Sequence, residues 1–69
     1  MAATTNAEIR ALYNTACHGA GAEPRLVARR QIERACNLRN ITLGMLFSAL
    51  NLNLAAYFAS RPIEDSRHD

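Results

Sequence analysis

Apolar residues fall at helical spacing along most of this chain, in three successive patterns. In the first, Ile9, Leu12, Tyr13, Ala16 and Cys17 stand at i, i+3, i+4, i+7 and i+8, which places one stripe on one side of an α-helix. Arg10, Asn14 and Thr15 fall outside the stripe. Thr5 and Glu8 have the T-x-x-E spacing of a capping box, so this helix begins near Asn6. Gly19 and Gly21 end it, because glycine accepts the left-handed conformation that closes many helices. His18 sits in the last turn, where the helix dipole favours positive charge.

A second helix is predicted from about Pro24 to Leu38. Proline suits a first turn, where its missing N–H has no partner to lose. Ala28, Ile32, Ala35 and Cys36 form the buried side, with Val27 beside them. These residues are mostly small and let a neighbouring helix come close. Asn37 to Asn40 reads as the break that follows.

The third pattern, Ile41 to Ala59, runs for nineteen residues without a charge and is apolar at fourteen of them. One continuous helix is the favoured reading. Leu43, Leu46, Phe47, Leu50, Leu54, Tyr57 and Phe58 then share one face, and Met45, Ala49, Leu52, Ala56 and Ala59 an adjacent one. The alternative is a turn at Asn51 and Asn53, because asparagine favours turns over helix interiors. It gives two short helices, 42–50 and 54–60. Pro62 stops the segment either way.

The fold class is therefore all-α, a small domain of three helices, or four if the third segment breaks. Residues 1–5 read as a frayed N-terminus, 6–60 as a single helical domain and 61–69 as a loose tail. No internal repeat is evident. A chain of 69 residues has little interior, and a helix with two apolar faces needs a cover for the second. That predicts a homodimer through Met45, Leu46, Ala49, Leu50, Leu52, Ala56 and Tyr57. A membrane span over 41–59 has the required length, but two central asparagines and moderate hydropathy make a membrane partner the poorer reading.

Charge changes the picture in one place. The net charge is only +2, yet all eight basic residues are arginine. Between residues 25 and 39 there are five arginines, Arg25, Arg29, Arg30, Arg34 and Arg39, against the single acid Glu33. Guanidinium groups grip phosphates and carboxylates in bidentate fashion. These five are the candidate binding residues for nucleic acid or an acidic protein.

Catalytic and metal chemistry find little support. Cys17 and Cys36 lie on apolar sides of their helices and read as buried free thiols. His18 and His68 are far apart, and no zinc-type spacing occurs. Ser48 and Ser60 have no histidine partner, and Gly19-Ala20-Gly21 lacks the third glycine of a phosphate loop. No catalytic residue, metal or cofactor is expected, and a cytoplasmic location is.

Asn40-Ile41-Thr42-x-x-x-Leu46-x-x-x-Leu50-Asn51-Leu52-Asn53 resembles the G-L-T-x-x-x-L-A-x-x-L-G-V-S core of Cro- and repressor-type helix-turn-helix domains. The resemblance implies a scaffold helix over 42–50, a turn at 51–53 and a recognition helix from Leu54. Phe47 stands where that family has a small residue, and Asn51 replaces its turn glycine. Leu54 to Ala59 contains none of the Arg, Asn, Gln, Ser or Thr side chains that read base edges. Two functions are compatible with these features. One is a small non-enzymatic regulator that binds nucleic acid through its arginine-rich helix. The other is an interaction module, an adaptor or inhibitor, that docks on a protein.

Overall fold

The computed structural model describes residues 4–61. They form four helices: α1 (Asn6–His18), α2 (Ala22–Arg39), α3 (Leu43–Leu50) and α4 (Leu54–Ala59). No strand occurs among the described residues. The expected frayed start and loose tail fall partly on 1–3 and 62–69, which lie outside the described residues. Thr4 and Thr5 are described, and both are hydrogen-bonded. The Thr5 hydroxyl accepts from the Glu8 N–H at 3.2 Å and the Glu8 carboxylate accepts from the Thr5 N–H at 2.8 Å. This closes the capping box.

α1 and α2 form a hairpin across Gly19-Ala20-Gly21. Their antiparallel pairing is fixed at the open end by Arg39, whose guanidinium donates to the Thr4 carbonyl at 2.7 Å and to Asn6 Oδ1 at 3.1 Å. Glycine matters in the connector, though not as the sequence suggested. Gly19 has an ordinary extended backbone, φ −61° and ψ 152°. It is required by space, since a Cβ there would lie 2.5 Å from the Thr15 carbonyl oxygen. Gly21 holds the positive φ, 93°, and caps the N-terminus of α2. α2 begins at Ala22, two residues before Pro24, which still falls within the first turn.

The favoured continuous helix over 41–59 does not form. α3 ends at Leu50, Asn51 turns left-handed (φ 59°), and α4 starts at Leu54. A short internal repeat underlies the break. Asn40-Ile41-Thr42-Leu43 and Asn51-Leu52-Asn53-Leu54 lie eleven residues apart and do the same work. Asn40 also takes φ 59°. The next N–H reaches five residues back, Ile41 to the Cys36 carbonyl at 3.0 Å and Leu52 to the Phe47 carbonyl at 2.8 Å. Both are Schellman closures, and Ile41 and Leu52 pack against the core as that motif's apolar residue. The third position caps the next helix. The Thr42 hydroxyl accepts from the Met45 N–H at 3.1 Å, and Asn53 Oδ1 from the Ala56 N–H at 3.0 Å.

The break folds α4 back. Phe47 and Tyr57, ten residues apart, would be separated by about 15 Å along an unbroken helix. Here their ring centroids are 4.9 Å apart at 70°. Tyr13 of α1 adds a second edge-on contact to Phe47 at 5.6 Å. Its hydroxyl accepts from the Asn53 N–H at 3.3 Å and lies 3.4 Å from the Asn53 carbonyl. α1 thereby pins the α3–α4 connector. The core consists of Ile9, Ala16, Cys17, Ala28, Ile32, Ala35, Cys36, Leu46, Phe47, Leu50 and Tyr57. Both cysteines are free and buried.

Candidate anion-binding groove

The five arginines of α2 do not share one surface. Arg25, Arg29 and Arg39 fall on the same side of the helix as Ala28, Ile32, Ala35 and Cys36, and each serves the fold. Arg25 Nε donates to the Gly19 carbonyl at 2.9 Å and its Nη1 to the Ser60 carbonyl at 3.4 Å. Arg29 Nη2 donates to the Tyr57 carbonyl at 2.6 Å and to the Ala16 carbonyl at 3.4 Å. All four acceptors lie in or just after the last turns of α1 and α4, where carbonyls lack helical partners and the dipole favours a cation. Two arginines thus tie both C-terminal ends to α2. Arg29, only 5% exposed, lies beneath the surface and adds almost nothing to the exposed arginine face. Of the five, Arg30 and Arg34 remain exposed on the outer side of α2, and Arg39 is exposed but bonded to α1.

A groove of about 220 Å³ runs between α2 and α4, lined by Leu26, Arg29, Arg30, Glu33, Tyr57, Phe58 and Arg61. Leu26, Arg30 and Glu33 stand at i, i+4 and i+7 on one face of α2. Phe58 and Arg61 are three apart at the end of α4. The floor contains two strongly buried side chains in contact: the Arg29 guanidinium carbon sits 4.2 Å from the centre of the Tyr57 ring. Arg29 Nε and the Tyr57 hydroxyl are both buried without a hydrogen-bond partner. The charge of Arg29 meets carbonyls and an aromatic face here. Burial pushes the Tyr57 phenol above its ordinary pKa, against the opposing pull of Arg29. The rim carries the exposed Arg30 and Arg61 and the apolar Phe58, 54% exposed. Sequence reasoning missed Arg61, Leu26 and Phe58 as site residues. The i, i+4 pairing of Leu26 with Arg30 and the i, i+3 pairing of Phe58 with Arg61 were the available signals.

The residues expected to form a dimer face are also divided. Leu46, Leu50 and Tyr57 are buried in the chain's own core and offer almost no surface to a second copy. Leu52 and Ala56 are half-buried, and Met45 and Ala49 are exposed. Folding at Asn51 turns much of the apolar segment onto α1 and α2, while Met45 and Phe58 stay exposed.

Among the described residues no helix is long and apolar enough to cross a membrane. Among the described residues no group of three His, Cys, Asp or Glu could hold a metal ion. α3 and α4 follow one another as helix, turn and helix, but α4 has six residues and directs Tyr57 into the core. No protein family, no curated protein and no solved structure matches the chain.

Proposed function

We propose that this protein is a small, non-enzymatic binding module that docks on an acidic protein partner. The groove between α2 and α4 carries the reading, because it combines exposed arginine with an exposed aromatic ring over a partly apolar floor. Arginine and aromatic side chains are the types enriched at protein interfaces. Binding along a phosphate backbone calls instead for many free cations in a line. Three of the five arginines of α2 are bonded to the chain's own backbone, which makes nucleic acid the second reading. Two buried free thiols suit a reducing compartment and a cytoplasmic location.

Fluorescence anisotropy separates the readings. The purified protein, cleared of nucleic acid, is titrated into two labelled probes at several salt concentrations. One is a degenerate acidic peptide with apolar residues beside each glutamate, and the other is a random-sequence duplex. Micromolar peptide binding with weak duplex binding is the expected result. Duplex binding that falls with a log–log salt slope of about −4 or steeper, without peptide binding, would replace the protein partner by nucleic acid.

A further inference from the structure

Resting on the reading above, we infer that the α2–α4 groove is a seat for a single carboxylate side chain of an acidic peptide, with a neighbouring apolar residue of that peptide against Leu26 and Phe58. Four observations point to this ligand. First, a buried guanidinium is costly unless its donors and its charge are answered. Arg29 has two carbonyls on Nη2, while Nε has no partner. Second, the neighbouring Tyr57 hydroxyl is also unpartnered and can donate. Third, the lining holds three arginines to one glutamate, so the groove is positive. Fourth, its volume of about 220 Å³ is below the ~300–1,000 Å³ of cofactor and small-ligand pockets and suits one or two side chains.

The carboxylate takes the Arg29 Nε–H and the Tyr57 O–H as donors and draws Arg30 and Arg61 inward from the rim. Both donor atoms lie beneath the surface of the groove, so seating the ligand requires a change of side-chain rotamer above them. A carboxylate fits better than a backbone phosphate here. One small anion can enter so narrow a groove, and the apolar Leu26 and Phe58 beside it match a peptide side chain rather than a sugar.

The test is NMR of the full-length, ¹⁵N-labelled chain, following backbone and arginine Nε–H signals. The probes are acetyl-Leu-Glu-amide and its isosteric control acetyl-Leu-Gln-amide. The Glu probe should move the Arg29 Nε–H signal at millimolar concentration and the Gln probe should not. Tyr57→Phe should retain the helical spectrum, because the lost hydroxyl has no partner to leave behind, and should weaken the Glu probe about tenfold, as loss of a hydrogen bond to a charged group does. Equal responses to both probes, or undiminished affinity in Tyr57→Phe, would overturn the seat. Shifts at Arg34 or Arg10 with none at Arg29 would also overturn it, while leaving an acidic protein partner in place. Silence toward both dipeptides, with duplex DNA moving Arg30 and Arg34, would remove the seat and the acidic protein partner together.

Discussion

Arg29→Ala distinguishes a structural arginine from a solvated one. The guanidinium is buried and donates to carbonyls in the last turns of α1 and α4, the shorter bond being 2.6 Å. A hydrogen bond to a charged group contributes about 1.5–3 kcal/mol. The two methylenes lost beyond Cβ add about 0.8 kcal/mol each. Release from burying a cation offsets part of this, leaving a net loss of about 3 kcal/mol. At ~0.05–0.15 kcal/mol per residue, a chain of this length has roughly 3.5–10 kcal/mol in all. The variant should therefore unfold about 12–24 °C lower, at ~4–8 °C per kcal/mol. Arg30→Ala, one residue along on the exposed side, should stay within about 0.5 kcal/mol of the parent. Urea titration and thermal melts followed by far-ultraviolet circular dichroism measure both. If the two variants lose the same stability within error, Arg29 is solvated and the clamp on α1 and α4 is refuted.

Asn51→Ala should lower stability by about 1 kcal/mol and Asn51→Gly should be neutral or slightly stabilising, since φ is 59° there and a Cβ is penalised in that region. A continuous helix predicts the reverse order, because alanine is the better helix former. Gly19→Ala should cost about 1–3 kcal/mol despite its ordinary φ, because the new methyl would meet the Thr15 carbonyl; a melt unchanged from the parent would show that the turn yields freely. Burial raises the pKa of both Cys36 and Tyr57. The folded chain thus holds these protons more tightly than the unfolded one, whose groups titrate near ~8.5 and ~10. Their contribution is complete below those values and is lost as pH climbs through the higher folded values. Tm should fall progressively above about pH 9, and less so in Tyr57→Phe; a Tm flat to pH 11 would contradict the burial of both groups.

Much of the fold was legible because single-period stripes need only local information. Ile9, Ala16 and Cys17 on α1, and Ala28, Ile32, Ala35 and Cys36 on α2, are buried as the spacing predicted. The capping box at Thr5 was equally local. The segment 41–59 misled because its apolar period continues through the break. Leu46, Leu50 and Tyr57 would share one side of a straight helix, and the broken chain buries them too. Periodicity alone cannot separate these cases. The cue was the repeated triplet, Asn40-Ile41-Thr42 and Asn51-Leu52-Asn53, in which an asparagine that accepts a left-handed backbone precedes an apolar residue and a capping residue. Accepting one triplet as a helix break required accepting the other.

The arginine helix was legible in part for a different reason. Positions 25, 28, 29, 32, 35, 36 and 39 make one continuous stripe at i, i+3 and i+4, and three of them are arginine. Their place on the wheel could be read from the sequence. Their acceptors could not, because backbone carbonyls at helix ends have no sequence signature and meet only when α1 and α4 converge on α2. That geometry explains a requirement for arginine. Arg25 reaches carbonyls of two separate segments through two nitrogens, and Arg29 reaches two through one nitrogen while its plane lies over Tyr57. Lysine has a single ammonium that is more strongly hydrated and lacks the planar face. Arg29→Lys should therefore keep the charge yet lose about 1–2 kcal/mol, roughly one charge-assisted bond, and Arg34→Lys on the exposed side should lose none that a urea titration can resolve. If Arg29→Lys is as stable as the parent, positive charge alone holds the ends of α1 and α4, and the two-carbonyl geometry is incidental.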